Sequence, residues 1–72
     1  MKYEIFSHTI VSEGETVDTY GITATDTQGN KSTFEDVTTF QNKLECFVDF
    51  LNDENISLKG FKVLLELFME NL

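Results

Sequence analysis

The hydrophobic period of this chain changes once, near Asp36. Before that point Thr, Val, Ile and Tyr alternate with polar residues between glycine-bearing turns. After it, Leu and Phe recur every three to four residues. A period of two suits a half-buried strand, and a period of 3.6 suits an amphipathic helix. The chain is therefore restricted to an α+β fold: a three-stranded antiparallel meander followed by two antiparallel helices on one face, in the order β-β-β-α-α. Proline is absent, and no stretch reads as a linker or a repeat. A single domain over residues 1–72 is expected, with the meander in 1–36 and the helical pair in 37–72.

The turns set the strand register. Ser12-Glu13-Gly14-Glu15 predicts a hairpin with Glu13-Gly14 as its two-residue loop, since Gly14 can take a positive φ. That loop sets Tyr3 opposite Ala24, Ile5 opposite Ile22 and Ser7 opposite Tyr20. Tyr3, Ile5, Tyr20, Ile22 and Ala24 then share one face, so turn chemistry and apolar pattern agree. At Asp26-Thr27-Gln28-Gly29-Asn30, a three-residue loop with Gly29 left-handed predicts a type I turn and bulge. It places Phe34 opposite Ile22 on the apolar face. A two-residue Gln28-Gly29 loop would turn the same ring to the other side.

Thr38 or Thr39 is a candidate cap for the first helix. Phe40, Leu44, Phe47, Val48 and Leu51 form its apolar stripe, with Phe50 at the margin. Asp53-Glu54-Asn55 interrupts the pattern, and Ser57 is the expected N-cap of the second helix. Leu58, Phe61, Leu64, Leu65, Phe68, Met69 and Leu72 make the second stripe.

Charge excludes several function classes. Thirteen acidic residues against five basic ones give a net charge of -8. Dispersed lysines without an arginine supply no footprint for nucleic acid or for an anionic membrane. Neutral or basic proteins are the compatible partners. No apolar run approaches the roughly 18 residues of a membrane span. Cys46 is the single cysteine, so no internal disulfide can staple the chain, and a cytoplasmic home is expected. Glu4 stands where a signal peptide would be apolar, and the strand pattern begins with the first residues. Both features predict a complete small protein.

Few residues suggest chemistry. Cys46 has Glu45 and Asp49 nearby in sequence, which disfavour a thiolate, so it reads as a small residue at the edge of the helix core. His8 lies opposite Thr19 and points away from the helices, and no second His or Cys can join it. Ser57 lacks a nucleophile elbow and reads as a cap. The stretch from Asp26 to Glu35 faintly resembles a calcium loop. Thr27, Gln28 and Lys31 fall where carboxylates or the glycine are needed, so a hairpin turn explains it better. No catalytic residue, metal ligand or cofactor site is expected, and the chain is not read as an enzyme.

Three surfaces are candidates for binding. Glu45, Asp49 and Asp53 recur every four residues along one side of the first helix. They read as a solvated face, or else as an acidic mimic of nucleic acid that blocks a basic cleft. In the second helix, Gly60, Val63 and Leu67 fall opposite the core stripe. In the sheet, Phe6, Ile10 and Val17 face away from the helices, with Ile10 and Val17 as cross-strand neighbours. Fully burying such side chains is worth roughly 1.5–3 kcal/mol each. A 72-residue domain buries only about 60% of its unfolded surface, so association is attractive. The expectation is a small acidic protein-binding module, with a homodimer or a basic protein as its partner.

The ordered set Tyr20-Gly21-Ile22, an acidic residue at the following turn, an amphipathic helix, and Ile56-Ser57 opening a helix that carries Glu66-Leu67-Phe68 resembles a family of small uncharacterised proteins from clostridia and related Firmicutes. The resemblance spans most of the chain and rests on short structural motifs. It implies a strand bearing Tyr-Gly-Ile and a C-terminal helix opened by Leu-Ser, and it implies no activity and no functional residue. This chain departs from the pattern at Leu58 in place of Pro, at Gly60 in place of His, and at Val63 and Leu67 in place of acids.

Overall fold

A computed structural model describes residues 1–71. Its strands are β1 (Lys2–Ser12), β2 (Glu15–Thr25) and β3 (Lys31–Thr38), and its helices are α1 (Gln41–Asp53) and α2 (Leu58–Glu70). The sheet is antiparallel in the order β1-β2-β3, which is the expected meander. Leu72, assigned above to the second apolar stripe, lies outside the described residues.

Both hairpins close as the turn residues require. Ser12 pairs with Glu15, and Glu13 and Gly14 take φ of 53° and 81°, the positive pair of a type I′ turn. Tyr3 faces Ala24, and Ile5 faces Ile22. At the second turn the Gly29 N–H donates to the Asp26 carbonyl and Gly29 has φ of 89°. Thr25 meets Lys31 and Phe34 meets Ile22, so the bulged loop turns the phenyl ring toward the helices.

β3 holds a feature the sequence reading missed. Ile22 faces Phe34 and Tyr20 faces Thr38, so two steps along β2 match four along β3. The extra residues bulge out, and Asp36 turns the strand with a φ of 53°. Asp36 then accepts a hydrogen bond from the hydroxyl of buried Thr19. The bulge brings backbone against Gly21, where an added Cβ would lie 2.4 Å from the Phe34 oxygen and 2.6 Å from Cζ of Phe6. Glycine at 21 is thus required by space. The Phe6 ring covers it from β1, an edge aromatic shielding a glycine in the neighbouring strand.

The core lies between the helices and the Tyr3, Ile22 and Ala24 face of the sheet; Val37, brought inward beyond the bulge, and Leu44, Val48, Leu51, Phe61 and Leu65 complete it. Phe61 is its hub. Its ring centroid is 5.0 Å from that of Tyr3 and 5.0 Å, edge-on, from that of Phe34. Phe47 of α1 stacks on Phe68 of α2 at 4.6 Å and also approaches Phe61. Lys43 and Phe47 also border one groove with Phe68 and Asn71, so the first half of α1 meets the end of α2, as antiparallel helices joined by a short loop must.

Two side chains pin β1 to the helices. The Tyr3 hydroxyl donates to the Ile56 carbonyl at 2.6 Å. The Asn52 amide accepts from the Tyr3 N–H at 2.9 Å and donates to the Tyr3 carbonyl at 3.0 Å. It does for Tyr3 what a neighbouring strand would do.

Three details correct the sequence reading. Phe40 is not a core residue: it occupies the N-cap position of α1, is 54% exposed, and has the Lys43 ammonium 5.0 Å from its ring centroid. Neither Thr38 nor Thr39 is the N-cap, and no side chain caps α1; the Thr38 hydroxyl instead accepts from the Phe40 N–H just before the helix. Met69 is 47% exposed, because the stripe of α2 is narrower than its apolar composition suggests. Ser57 does cap α2, accepting from the Gly60 N–H.

Candidate functional site

Two groups of apolar residues outside the core are the candidate surfaces, while Val11, Phe40, Phe50 and Met69 are exposed elsewhere. On α2, Val63 and Leu67 are 58% and 49% exposed. They stand one turn apart on the side away from Phe61 and Leu65. Gly60 continues the line toward the N-terminus, and its missing side chain opens a shallow groove walled by Ile56, Val63 and Leu64. The groove exists because Gly60 sits in the first turn beside Ser57, where a Cβ would lie 3.2 Å from Ile56. Lys59 borders this strip near its start, and Glu66 borders it near its end.

The second group lies on the sheet face opposite the helices. β3 pairs with β2 only from Tyr20 onward, so the hairpin beyond it is a two-stranded ribbon. Ile10 and Val17 face each other on that ribbon. Ile10 is half-buried and Val17 lies at the exposed margin. Phe6 is also half-buried, because its ring is spent on Gly21. The three residues therefore do not form one continuous exposed patch: Phe6 closes the sheet, while Ile10 and Val17 cover each other.

Glu45, Asp49 and Asp53 are all exposed along α1. The Gln41 amide donates to the Glu45 carboxylate. Cys46 is exposed and borders a groove between the helices, beside Lys43, Phe47, Phe68 and Asn71. This is a more open position than the core edge expected for it. His8 is exposed opposite Thr19, far along the chain from Cys46. Among the described residues no three His, Cys, Asp or Glu side chains gather as a metal site.

Asp26 has a local task. Its carboxylate accepts from the backbone N–H groups of Gln28 and Asn30 and from the Asn30 amide. The Asn30 side chain, followed by the backbone donors, holds the carboxyl below its ordinary 3.8. Those oxygens organise the turn that sequence likened to a calcium loop. Burial pushes the Tyr3 phenol above its ordinary 10.0. No described helix is long and apolar enough to cross a membrane.

Comparison with family models, with curated proteins and with solved structures found no match for this chain.

Proposed function

We propose that the chain is a non-enzymatic protein-binding module whose docking strip is Gly60, Val63 and Leu67 on α2. The observation that carries this reading is the exposure of Val63 and Leu67 beside a groove opened by Gly60. Core packing does not account for them, since Phe61 and Leu65 already fill the buried side of the same helix. The strip would seat an apolar side chain of the partner in the groove. The net charge of -8 would steer a basic protein toward it. Capture from lysate of the source organism tests this in high salt, with Val63→Glu and Leu67→Glu beside the parent. A partner held by the parent and lost by both variants supports the strip. A partner held equally by all three refutes it.

A second reading rests on the exposed row Glu45, Asp49 and Asp53. There the chain would imitate a nucleic-acid backbone and block the basic cleft of a nuclease or regulator. Such binding falls steeply with salt and is abolished by reversing those three charges, while Val63→Glu spares it.

A further inference from the structure

β1 is an edge strand, and most of its outer edge is open. Backbone pairs in an antiparallel ladder alternate between those that exchange hydrogen bonds and those that do not. Tyr3 directs its N–H and carbonyl outward to Asn52. By the same alternation Ile5, Ser7, Thr9 and Val11 direct theirs outward too, and among the described residues no strand lies there. The two edges of the sheet differ in how they are guarded. β3 carries Lys31, Glu35 and Asp36 and is broken by its bulge. From Ile5 to Ser12, β1 has no Asp, Glu, Lys, Pro or Gly, and its register to β2 runs without a shift. Natural sheets guard their edges with charge, proline or bulges, and an edge without them is a template for another strand.

The residues along this edge are complementary to themselves. Ile5-Phe6-Ser7-His8-Thr9-Ile10-Val11 reads alike in both directions: apolar, apolar, polar, His, polar, apolar, apolar. We propose that two copies of this chain join β1 to β1 in antiparallel register about a two-fold axis at His8, making one continuous six-stranded sheet. The odd positions bear the outward backbone groups, so they must meet odd positions. Centring on His8 satisfies this: Ile5 meets Val11 of the second copy, and Ser7 meets Thr9. On the other face Phe6 meets Ile10, and the two His8 side chains meet each other. Every apolar residue faces an apolar one, and no pair sets like formal charges opposite.

The ends of the edge fit the same centre. Asn52 closes the edge at Tyr3, and the Glu13-Gly14 turn ends it beyond Ser12. The open stretch lies between these stops. A shift of two residues would pair Ile5 with Glu13 or leave Phe6 facing His8. This contact uses the sheet edge and leaves the Val63 and Leu67 strip free, so the dimer would carry two strips. It does not depend on the reading of that strip.

The test uses residue 8, which meets itself only if the axis passes there. His8→Lys and His8→Asp are purified separately, and mass is measured by sedimentation equilibrium up to about 1 mM, a concentration at which even weak specific pairs form. The parent is expected to dimerise. Each variant should lose up to about fivefold in self-association, because like charges then stand directly opposite in the ladder. Mixed in equal amounts, the two should recover a dimer of one Lys chain with one Asp chain. Ser7→Pro, which removes an outward N–H and no internal one, should also dissociate the dimer while the monomer keeps its sheet. A parent that stays monomeric, variants that pair as well as the parent, or a mixture that behaves as the sum of its parts overturns the proposal. Val63→Glu should dimerise like the parent, which separates failure here from failure of the docking strip.

Discussion

Replacing Asn52 tests how α1 secures the sheet. Asn52 is next to last in α1, and its amide closes two backbone groups of Tyr3, at 2.9 and 3.0 Å, across 49 positions of sequence. A net hydrogen bond is worth about 1 kcal/mol, so truncation to Ala forfeits about 2 kcal/mol. Ala is the better helix former by about 0.5 kcal/mol, which leaves a loss near 1.5 kcal/mol. Asn52→Asp is nearly isosteric and still accepts from the Tyr3 N–H. Its second oxygen, however, faces the Tyr3 carbonyl with no proton to give, and two acceptors held together without a donor cost about 1.5–2 kcal/mol. It also sets a negative charge at the helix C-terminus, unfavourable by roughly 0.3–1 kcal/mol. The expected order of stability is Asn, then Ala, then Asp, with Asp about 2–3 kcal/mol below the parent. Urea unfolding followed by circular dichroism reads this as falling midpoints at constant slope. For a chain of this size it corresponds to a drop of about 10–20 °C in Tm for Asp. If the Asp variant matches the parent, or exceeds the Ala variant, the paired amide is not what holds α1 to β1.

The other predictions concern the bulge, the core phenol and the second turn. Gly21→Ala should cost about 2–3 kcal/mol, since its Cβ would enter the space of the Phe34 carbonyl and the Phe6 ring; adding Phe6→Ala should relieve only part of it, because the backbone oxygen remains. Tyr3→Phe should cost about 1–2 kcal/mol by leaving the Ile56 carbonyl without its donor. The Tyr3 phenol is raised by burial, so its contribution is fully present below its ordinary 10.0 and is lost as pH rises through the higher folded value. The parent should therefore weaken more than Tyr3→Phe in base, as seen by unfolding midpoints across that range. The Asp26 carboxyl is lowered by its loop donors, so its contribution is present above 3.8 and is lost as pH falls through the lower folded value. Carbon-detected NMR titration should find it still mostly ionised at pH 3.8, where an Asp free of such donors is half protonated.

Strand order, both loops and the faces of the β1 residues, of Tyr20, Ile22 and Ala24 and of Phe34 were legible because independent signals agreed. Gly14 fixed a loop length, and that length alone placed Tyr3, Ile5 and Ile22 on one side. Gly29 did the same for Phe34. The helices were legible from their period, with errors at the ends. Phe40 matches the period of Leu44 and Val48 but precedes the first helical residue, so it turns outward. The β3 bulge was not legible from periodicity, because the strand pattern around Asp36 is too short to show two extra residues. Setting Ile5 opposite Ile22 also sets Phe6 opposite Gly21, but the meaning of that pair needed the third dimension. Asn52 was invisible as a strand substitute, since nothing local ties it to Tyr3. Of the candidate surfaces, the exposure of Val63 and Leu67 followed from helical geometry, whereas the half-burial of Phe6 depended on the bulge.

The outer edge of β1 is closed at Tyr3 and open from Ile5 to Val11. Amide hydrogen exchange resolved by residue measures this directly. In dilute solution the Tyr3, Phe6, His8 and Ile10 amides should exchange slowly, and those of Ser7 and Thr9 should exchange fast although they lie in the middle of the strand. As concentration rises, Ser7 and Thr9 should become protected together while the others change little. Equal protection of Ser7 and Phe6 in dilute solution, or Ser7 and Thr9 amides that stay fast at every concentration, would contradict it.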